Sequence, residues 1–511
     1  MKQKQRVVAV MMAVVMMLGG LFLQELDASA ADDMGISLQV DWSKNLDNQT
    51  PGSMDMNEPT NIIEHDDYIY MNVSGVLKKM VKSNGTVAAI SSNDVLNGYN
   101  YFLSQGEVNG NFAILAQQQI YDSVTYTMTM QVMAFDENCH LLWTSPSVTG
   151  YSGAYSKLVY DATQHLIYGS YNEQTSSFFA LHAEDGSVAW SKDISSGATI
   201  NGSGYSYQSY GGYWAGAVTV GDYVVFPSEG ANLFVYRATD GTFIDTKSVG
   251  STTSACIRCS IIYKDGFLFY TSNDGYVHKT AIDLTTGKLG EDIAQKISSD
   301  VINSTSTPAV YQGRVYVTGE SLQQSGTPAV DKGVLTVLDE QDMSVISTNY
   351  IEGSGKIYDV VMDENHSNSK VVYGYASYQS KPGSFIYFQN DLTTEKDCTI
   401  KDASNLTQSL SENYCATQLS LTSDDHIYIT NDNGILIRLT PDYSAVKEEN
   451  NTVTTDIKTS STQTTTSQAV TSQAEVSPKT GESTSIFWLV FLMAGSLTIF
   501  GGYEMIKRKK G

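Results

Sequence analysis

The sequence predicts an all-β chain built around an eight-bladed β-propeller closed by an N-terminal strand, then a disordered stalk and a C-terminal transmembrane helix. Three observations predict the ring. A strand–turn–strand grammar recurs in eight copies between Gly35 and Lys447, and the copies lie about 45 to 57 residues apart. The third is a Trp-centred segment, VDWSKNL at 40–46, which stands alone ahead of the first copy, whereas the last copy lacks one.

The copies justify the strands. LIYGSYNEQTSSFFALHAEDGSVAWSKDI (166–194) and LFYTSNDGYVHKTAIDLTTGKLGED (268–292) are the fullest. Each reads as an apolar strand with Tyr, a Gly- or Asn-rich turn, a second apolar strand, an Asp-Gly or Thr-Gly turn, and a last strand that sometimes carries Trp. Anchors fall on Tyr70, Leu115, Tyr168, Val225, Tyr270, Tyr316, Tyr373 and Tyr428. Sandwich domains would need roughly 100 residues each and would not keep one motif at half that interval. VAWSKDI (188–194) and LLWTSPSV (141–148) occupy the outermost place of their repeats. VDWSKNL is then the outer strand that the last repeat lacks, and supplying it closes the ring and removes free sheet edges.

The pattern D-G-x-L-x-A-hydrophobic-D-x-x-T-G-x-x-x-W resembles the PQQ-type propeller repeat. Asp274-Gly275-Tyr276-Val277, Ala281-Ile282-Asp283 and Thr286-Gly287 fit one repeat, and Ala180-Leu181, Asp185-Gly186 and Trp190 another. The resemblance implies that Trp42, Trp143 and Trp190 dock their indoles between adjacent blades, a packing role. Quinoprotein dehydrogenases of that family hold the quinone between a tryptophan plane and a disulfide of adjacent cysteines, with a bound calcium. No two cysteines are adjacent here, so the expectation is no cofactor, PQQ included, and no enzymatic activity.

Other chemical patterns also fail, so no catalytic residue and no metal site is expected. HExxH is absent, GSGKI (353–357) lacks the first Gly and the closing Ser or Thr of a P-loop, and the seven His show no zinc-like spacing. SNDG (272–275) and NDNG (431–434) read as hairpin turns rather than calcium loops. Of the five cysteines, Cys256 and Cys259 have CxxC spacing inside ACIRCSIIY, which reads as a strand and would turn the two thiols to opposite faces. Whether Cys398 and Cys415 pair stays open.

The ends carry addressing signals. Lys2, Lys4 and Arg6, the apolar run Val7 to Leu23, and Ala28-Ser29-Ala30 read as an export signal over 1–30. Residues 448–476 are dominated by Thr, Ser and Gln and cannot bury enough apolar surface to order, so they read as a stalk. Ser477, Pro478, Lys479, Thr480 and Gly481 precede an apolar segment, 486–503, and a basic tail, 504–511. This order resembles the LPXTG-class sorting signal of Gram-positive surface proteins, with Ser477 where that family has Leu. The resemblance implies a sortase that cuts between Thr480 and Gly481 and joins the Thr480 carboxyl to a peptidoglycan amine. It also implies a cell-wall location, with membrane contact only through the C-terminal helix before sorting.

A formal net charge of −24 disfavours nucleic acid and anionic lipid as partners. The least ordinary segment is NGSGYSYQSYGGYWAGA (201–217), which offers Tyr205, Tyr207, Tyr210, Tyr213 and Trp214 as candidate ligand-binding aromatics in a loop between two repeats. The reading that follows is a non-catalytic surface module binding an unknown extracellular glycan, small molecule or protein. A scaffold or assembly-assistance propeller at the envelope is the alternative, and a quinone-dependent or polysaccharide-acting enzyme the least supported.

Overall fold

Segments such as YIYMNV (Tyr68–Val73) and SFFALH (Ser177–His182), rich in aromatic and β-branched residues, form strands that pair antiparallel across tight turns. The computed structural model describes most of residues 37–442, leaving out several intervals, the longest being 47–59, 93–101 and 402–419; between 349 and 419 only backbone is described. The chain is an all-β propeller with no helix among the described residues. Seven sheets of four or five strands are each built from one continuous stretch and are called blades 1 to 7: residues 63–90, 103–150, 159–193, 218–248, 262–296, 301–351 and 357–397.

A further sheet joins the two ends of the chain. Ser37–Asn45 pairs antiparallel with Ile435–Asp442, with Val40 opposite Leu439 and Trp42 opposite Arg438, and a bulge between them. Ile427–Thr430 and Ser420–Leu421 continue this closing sheet inward, and Thr399–Lys401 flanks Ser37–Asn45 in parallel.

Apolar clusters fill the gaps between neighbouring sheets. Tyr70 meets Ile114 and Phe135 between blades 1 and 2; Leu115 meets Ile167 between 2 and 3; Phe178 stacks on Phe226 between 3 and 4 at 4.4 Å. Val225 meets Leu268 between blades 4 and 5, Phe269 meets Val315 between 5 and 6, and Tyr428 meets Ile69 between the closing sheet and blade 1. Because side chains alternate along a strand, each sheet feeds one cluster from each face.

The pairing corrects one repeat anchor. Tyr70, Tyr168, Val225 and Tyr316 sit opposite Ile63, Val159, Val218 and Ala309; the corresponding partner in blade 5, Ile262, faces Phe269 and not Tyr270. Tyr270 is one residue out of step, so its ring faces blade 4 instead of blade 6. Two local readings also change. Cys256 and Cys259 precede the strand Ile262–Lys264 in irregular backbone, and the tyrosine-rich segment includes a hairpin, Ala198–Gly202 with Tyr205–Ser209. The signal segment, stalk, sorting motif, apolar segment and basic tail lie outside the described residues, as do Cys398 and Cys415. Among the described residues no helix is long and apolar enough to cross a membrane.

Candidate functional site

Blade 5 carries an unbroken chain of polar side chains on its face toward blade 4. Tyr270 pairs with His278 across the strands Phe267–Ser272 and Tyr276–Ile282, and Thr280 pairs with Asp292 on Leu289–Lys296. Ser272 lies two residues after Tyr270, and Thr280 two after His278, so all five project from one face. The turn at 273–275 returns the chain tightly because Gly275 adopts a φ of +81°. It places Asp274 beside Ser272.

The contacts run end to end. Asp274 Oδ1 lies 2.5 Å from Ser272 Oγ, Ser272 Oγ 3.0 Å from His278 Nε2, and His278 Nδ1 3.0 Å from Asp292 Oδ2. The Thr280 hydroxyl donates to Asp292 Oδ1 at 2.6 Å and lies 2.7 Å from the Tyr270 hydroxyl, whose ring stacks on His278 at 4.9 Å. Ser272, Thr280 and Tyr270 are fully buried and His278 is 2% exposed, whereas Asp274 is half-buried. Asp292, at the other end, is likewise half-buried, so the chain can be reached from either carboxylate.

Burial pushes the Asp292 carboxyl up, but the hydrogen bond and charge of His278, aided by Thr280, outweigh it and hold it below the usual range. Burial first, then Asp292, drives the Tyr270 phenol well above its ordinary value, so it stays a neutral donor. Ser272 has one proton and two acceptors in reach, Asp274 and His278. A proton taken up at Asp274 can pass to Ser272 as Ser272 gives its own to His278, which carries the charge to His278 without moving a heavy atom. Such an array can accept a proton at Asp274 and settle the charge on His278, beside Asp292. It is poorly suited to a serine nucleophile: Ser272 is buried, and the Asp274 carboxylate would repel an oxyanion forming beside it.

A buried ion pair backs the site. Arg258 Nε and Nη2 each reach a Glu229 carboxylate oxygen at 2.7 Å, with side chains 5% and 1% exposed. Cys256 lies close to Glu229, Arg258 and Asp274; burial first, then Glu229, pushes its thiol up to about 12, which makes it inert as a nucleophile. Cys139, Cys256 and Cys259 are not in disulfides, and the Thr271 N–H donates to Cys259 Sγ.

The residues singled out from sequence lie elsewhere. Trp143 and Trp190 donate from Nε1 to the carbonyls of Ala183 and Ala238 in the next blade, and Trp42 donates to Lys82 of blade 1. These bonds lie at the blade ends opposite Ser272. Tyr205 and Tyr207 stand on the 198–209 hairpin, while Tyr210, Tyr213 and Trp214 lie outside the described residues. Among the described residues no group of three His, Cys, Asp or Glu side chains is arranged to hold a metal ion. Ser272, His278 and Asp292 were missed because SNDG reads as a turn. The only available signal was the two-residue spacing of His278 and Thr280 in YVHKTAI, which places polar groups on a face that should be apolar.

No family model matches this chain, and none of the curated proteins does. Solved structures similar in fold include two dehydrogenases. A europium-containing methanol dehydrogenase matches over 62% of this chain and 72% of its own, at 10% identity and a TM-score of 0.40. A quinohemoprotein alcohol dehydrogenase from Comamonas testosteroni matches over 81% and 77%, at 10% identity and a TM-score of 0.49.

This finding corrects three expectations: the non-catalytic binding module, the absence of enzymatic activity, and the absence of a cofactor, PQQ included. All three rested on missing sequence patterns, above all the adjacent cysteines. A missing pattern removes one way of holding a redox group and not the others. At 10% identity the similarity extends to the fold alone, so neither neighbour's substrate nor its cofactor passes to this chain.

Proposed function

We propose that this chain is an enzyme working by general acid–base transfer, with Asp274 exchanging a proton with an oxygen of a hydroxyl-bearing substrate. Ser272 relays the proton, His278 holds it, and Asp292, fixed by Thr280 and Tyr270, orients the imidazole and balances its charge. The observation that carries this reading is the continuous 2.5–3.0 Å chain from half-buried Asp274 through buried Ser272 and His278 to Asp292. The test is turnover of a panel of alcohols, sugars and wall glycans by the purified protein, followed by product formation and by dye reduction. Asp274→Asn and His278→Gln should each lower turnover on the accepted substrate by about 10²–10⁴-fold, with the far-ultraviolet spectrum unchanged. Activity that survives both substitutions would overturn the assignment, as would no turnover across the panel.

The tyrosine-rich segment is the proposed recognition element. Gly212, near its end, is hydrogen-bonded both ways with Ser170, which stands at the same strand end in blade 3 as Ser272 does in blade 5. Tyrosines of that segment would stack on sugar faces.

The wider reading is an exported ring of eight blades, the closing sheet counted as the eighth, displayed on a Gram-positive cell wall through a sortase and peptidoglycan. The pairing of Ser37–Asn45 with Ile435–Asp442 supports the blade count. The order of Ser477–Gly481, the apolar run and the basic tail supports the anchor. Release of the protein from cells by a wall hydrolase, and its retention in the membrane fraction after Thr480→Ala, would test it.

A further inference from the structure

The seam between the closing sheet and blade 1 is held by a cluster of charges. Arg438 Nη1 meets Asp41 at 2.9 Å and its Nη2 meets Asp424 at 3.4 Å. His426 lies between the same two carboxylates, 3.3 Å from Asp424 and 3.7 Å from Asp41. Lys82 of blade 1 bonds Glu64 at 2.6 Å and reaches Asp424 at 3.9 Å, and Glu64 accepts from both the N–H and the hydroxyl of Ser423 at 2.7 Å. The Thr440 hydroxyl lies 2.7 Å from both Asp41 oxygens. Three carboxylates thus face three basic groups across three segments that meet only when the chain ends come together. The further charged groups nearby are Lys44 on the N-terminal strand, whose stem packs on Gly85, Lys78 of blade 1, which donates to Leu46 O, and Asp425 beside Asp424.

The N-terminal strand, like the outer strands Val87–Ile90 and Leu141–Thr144, buries little apolar surface. Within 39–46 no residue is fully buried, and Trp42 and Leu46 are only partly buried against the blade 1 cluster. By contrast Tyr223–Pro227 of blade 4 is buried at every position. A strand with little apolar burial opens at low free-energy cost once its polar contacts weaken.

We infer that Ser37–Asn45 is an acid-releasable clasp, held to the closing sheet by the Asp41–Arg438–Asp424–His426 cluster and freed when those carboxylates are protonated. Protonation would leave Lys82, Arg438 and His426 as cations facing one another, so attraction becomes repulsion. The direction agrees with Asp424. Burial opposes its ionisation, but Thr422, His426, Lys82 and Arg438 outweigh that and hold its carboxyl low. A carboxyl held low stabilises above its unfolded value, and that contribution is lost as pH falls through the folded value.

Hydrogen exchange of the full-length protein at pH 7 and pH 3, corrected for intrinsic rates, tests the clasp. Protection of 37–46 should fall by about tenfold or more while 267–282 of blade 5 keeps its protection. Asp424→Asn at pH 7 should reproduce the effect, and Asp185→Asn, which removes a turn carboxylate away from this seam, should not. Equal loss in both segments, or an unchanged 37–46 at pH 3, would overturn the inference. The wild-type comparison stands even where a variant fails to fold.

Discussion

The Trp42 indole donates to the Lys82 carbonyl at 3.0 Å and lies on Gly85, where a Cβ would come within 2.9 Å of the ring. The same relation recurs inside the chain, with Trp143 on Ala183 and Gly186 and Trp190 on Ala238 and Gly241. The two ends of the chain are therefore joined by the device that joins neighbouring blades. The Trp of one repeat and the Gly of the next form one contact, which explains why both belong to the repeat.

Gly186 has a φ of +70°, and a Cβ there would lie 2.4 Å from the Trp143 ring. Gly186→Ala should cost about 1–3 kcal/mol, from backbone strain and a displaced indole together. Trp190→Phe, which keeps the packing and loses the bond to Ala238 O, should cost about 1 kcal/mol. Urea unfolding midpoints, with m-values unchanged, check both.

The Arg258–Glu229 pair is buried on both sides. Arg258→Met or Glu229→Gln alone should destabilise by about 3–5 kcal/mol, because each leaves a buried charge without its partner. The double substitution should recover a large part of that loss. Denaturant unfolding of the two single variants and the double variant closes the cycle.

Acid should weaken the turns of the repeat. Asp185, Asp240, Asp283 and Asp342 are held below the usual carboxyl value, first by the hydroxyls of Ser187, Thr242, Thr286 and Ser344 and then by backbone N–H groups. Groups with depressed folded values stabilise fully above the unfolded value, near pH 4, and lose that contribution as pH falls through the lower folded one. Tm should hold steady from pH 7 to about 5 and drop below about pH 4. Asp185→Asn combined with Asp283→Asn should flatten that drop.

Gln39 and Thr440 are directly paired and only partly buried. A Gln39→Cys, Thr440→Cys variant should form a disulfide on mild oxidation, since antiparallel neighbours stand about 4.5–5.5 Å apart. It should raise Tm and abolish acid loosening of residues 37–46. Mass spectrometry of peptides under non-reducing conditions shows whether the link forms.

The propeller was legible because every blade repeats the same burial problem. Tyr or Phe at the paired position, the Asp-Gly or Thr-Gly turn and the outer Trp are imposed by contact with the next blade, so they recur. Trp42 was readable as a displaced outer strand for the same reason. The acid–base chain was not legible, because it departs from the repeat. Tyr270 mimics the repeated tyrosine in sequence yet stands one residue along, and in a strand one residue reverses the face. His278, Thr280 and Asp292 lie on three positions of two strands, whose proximity depends on register and not on spacing along the chain. Asp274 and Ser272 were masked by turn chemistry, since Asn, Asp and Gly are the residues any tight hairpin uses.

The proton on His278 Nδ1 tests the account most directly. In histidine-labelled protein, the imidazole bonded to Asp292 should give one strongly deshielded N–H resonance protected from solvent exchange. Asp292→Asn should abolish that resonance, and Ser272→Ala should shift it through the shared ring. A protected resonance with both responses is what the account predicts. If no His278 N–H is protected, or if the resonance ignores both substitutions, Asp274, Ser272, His278 and Asp292 do not form one proton-transfer chain.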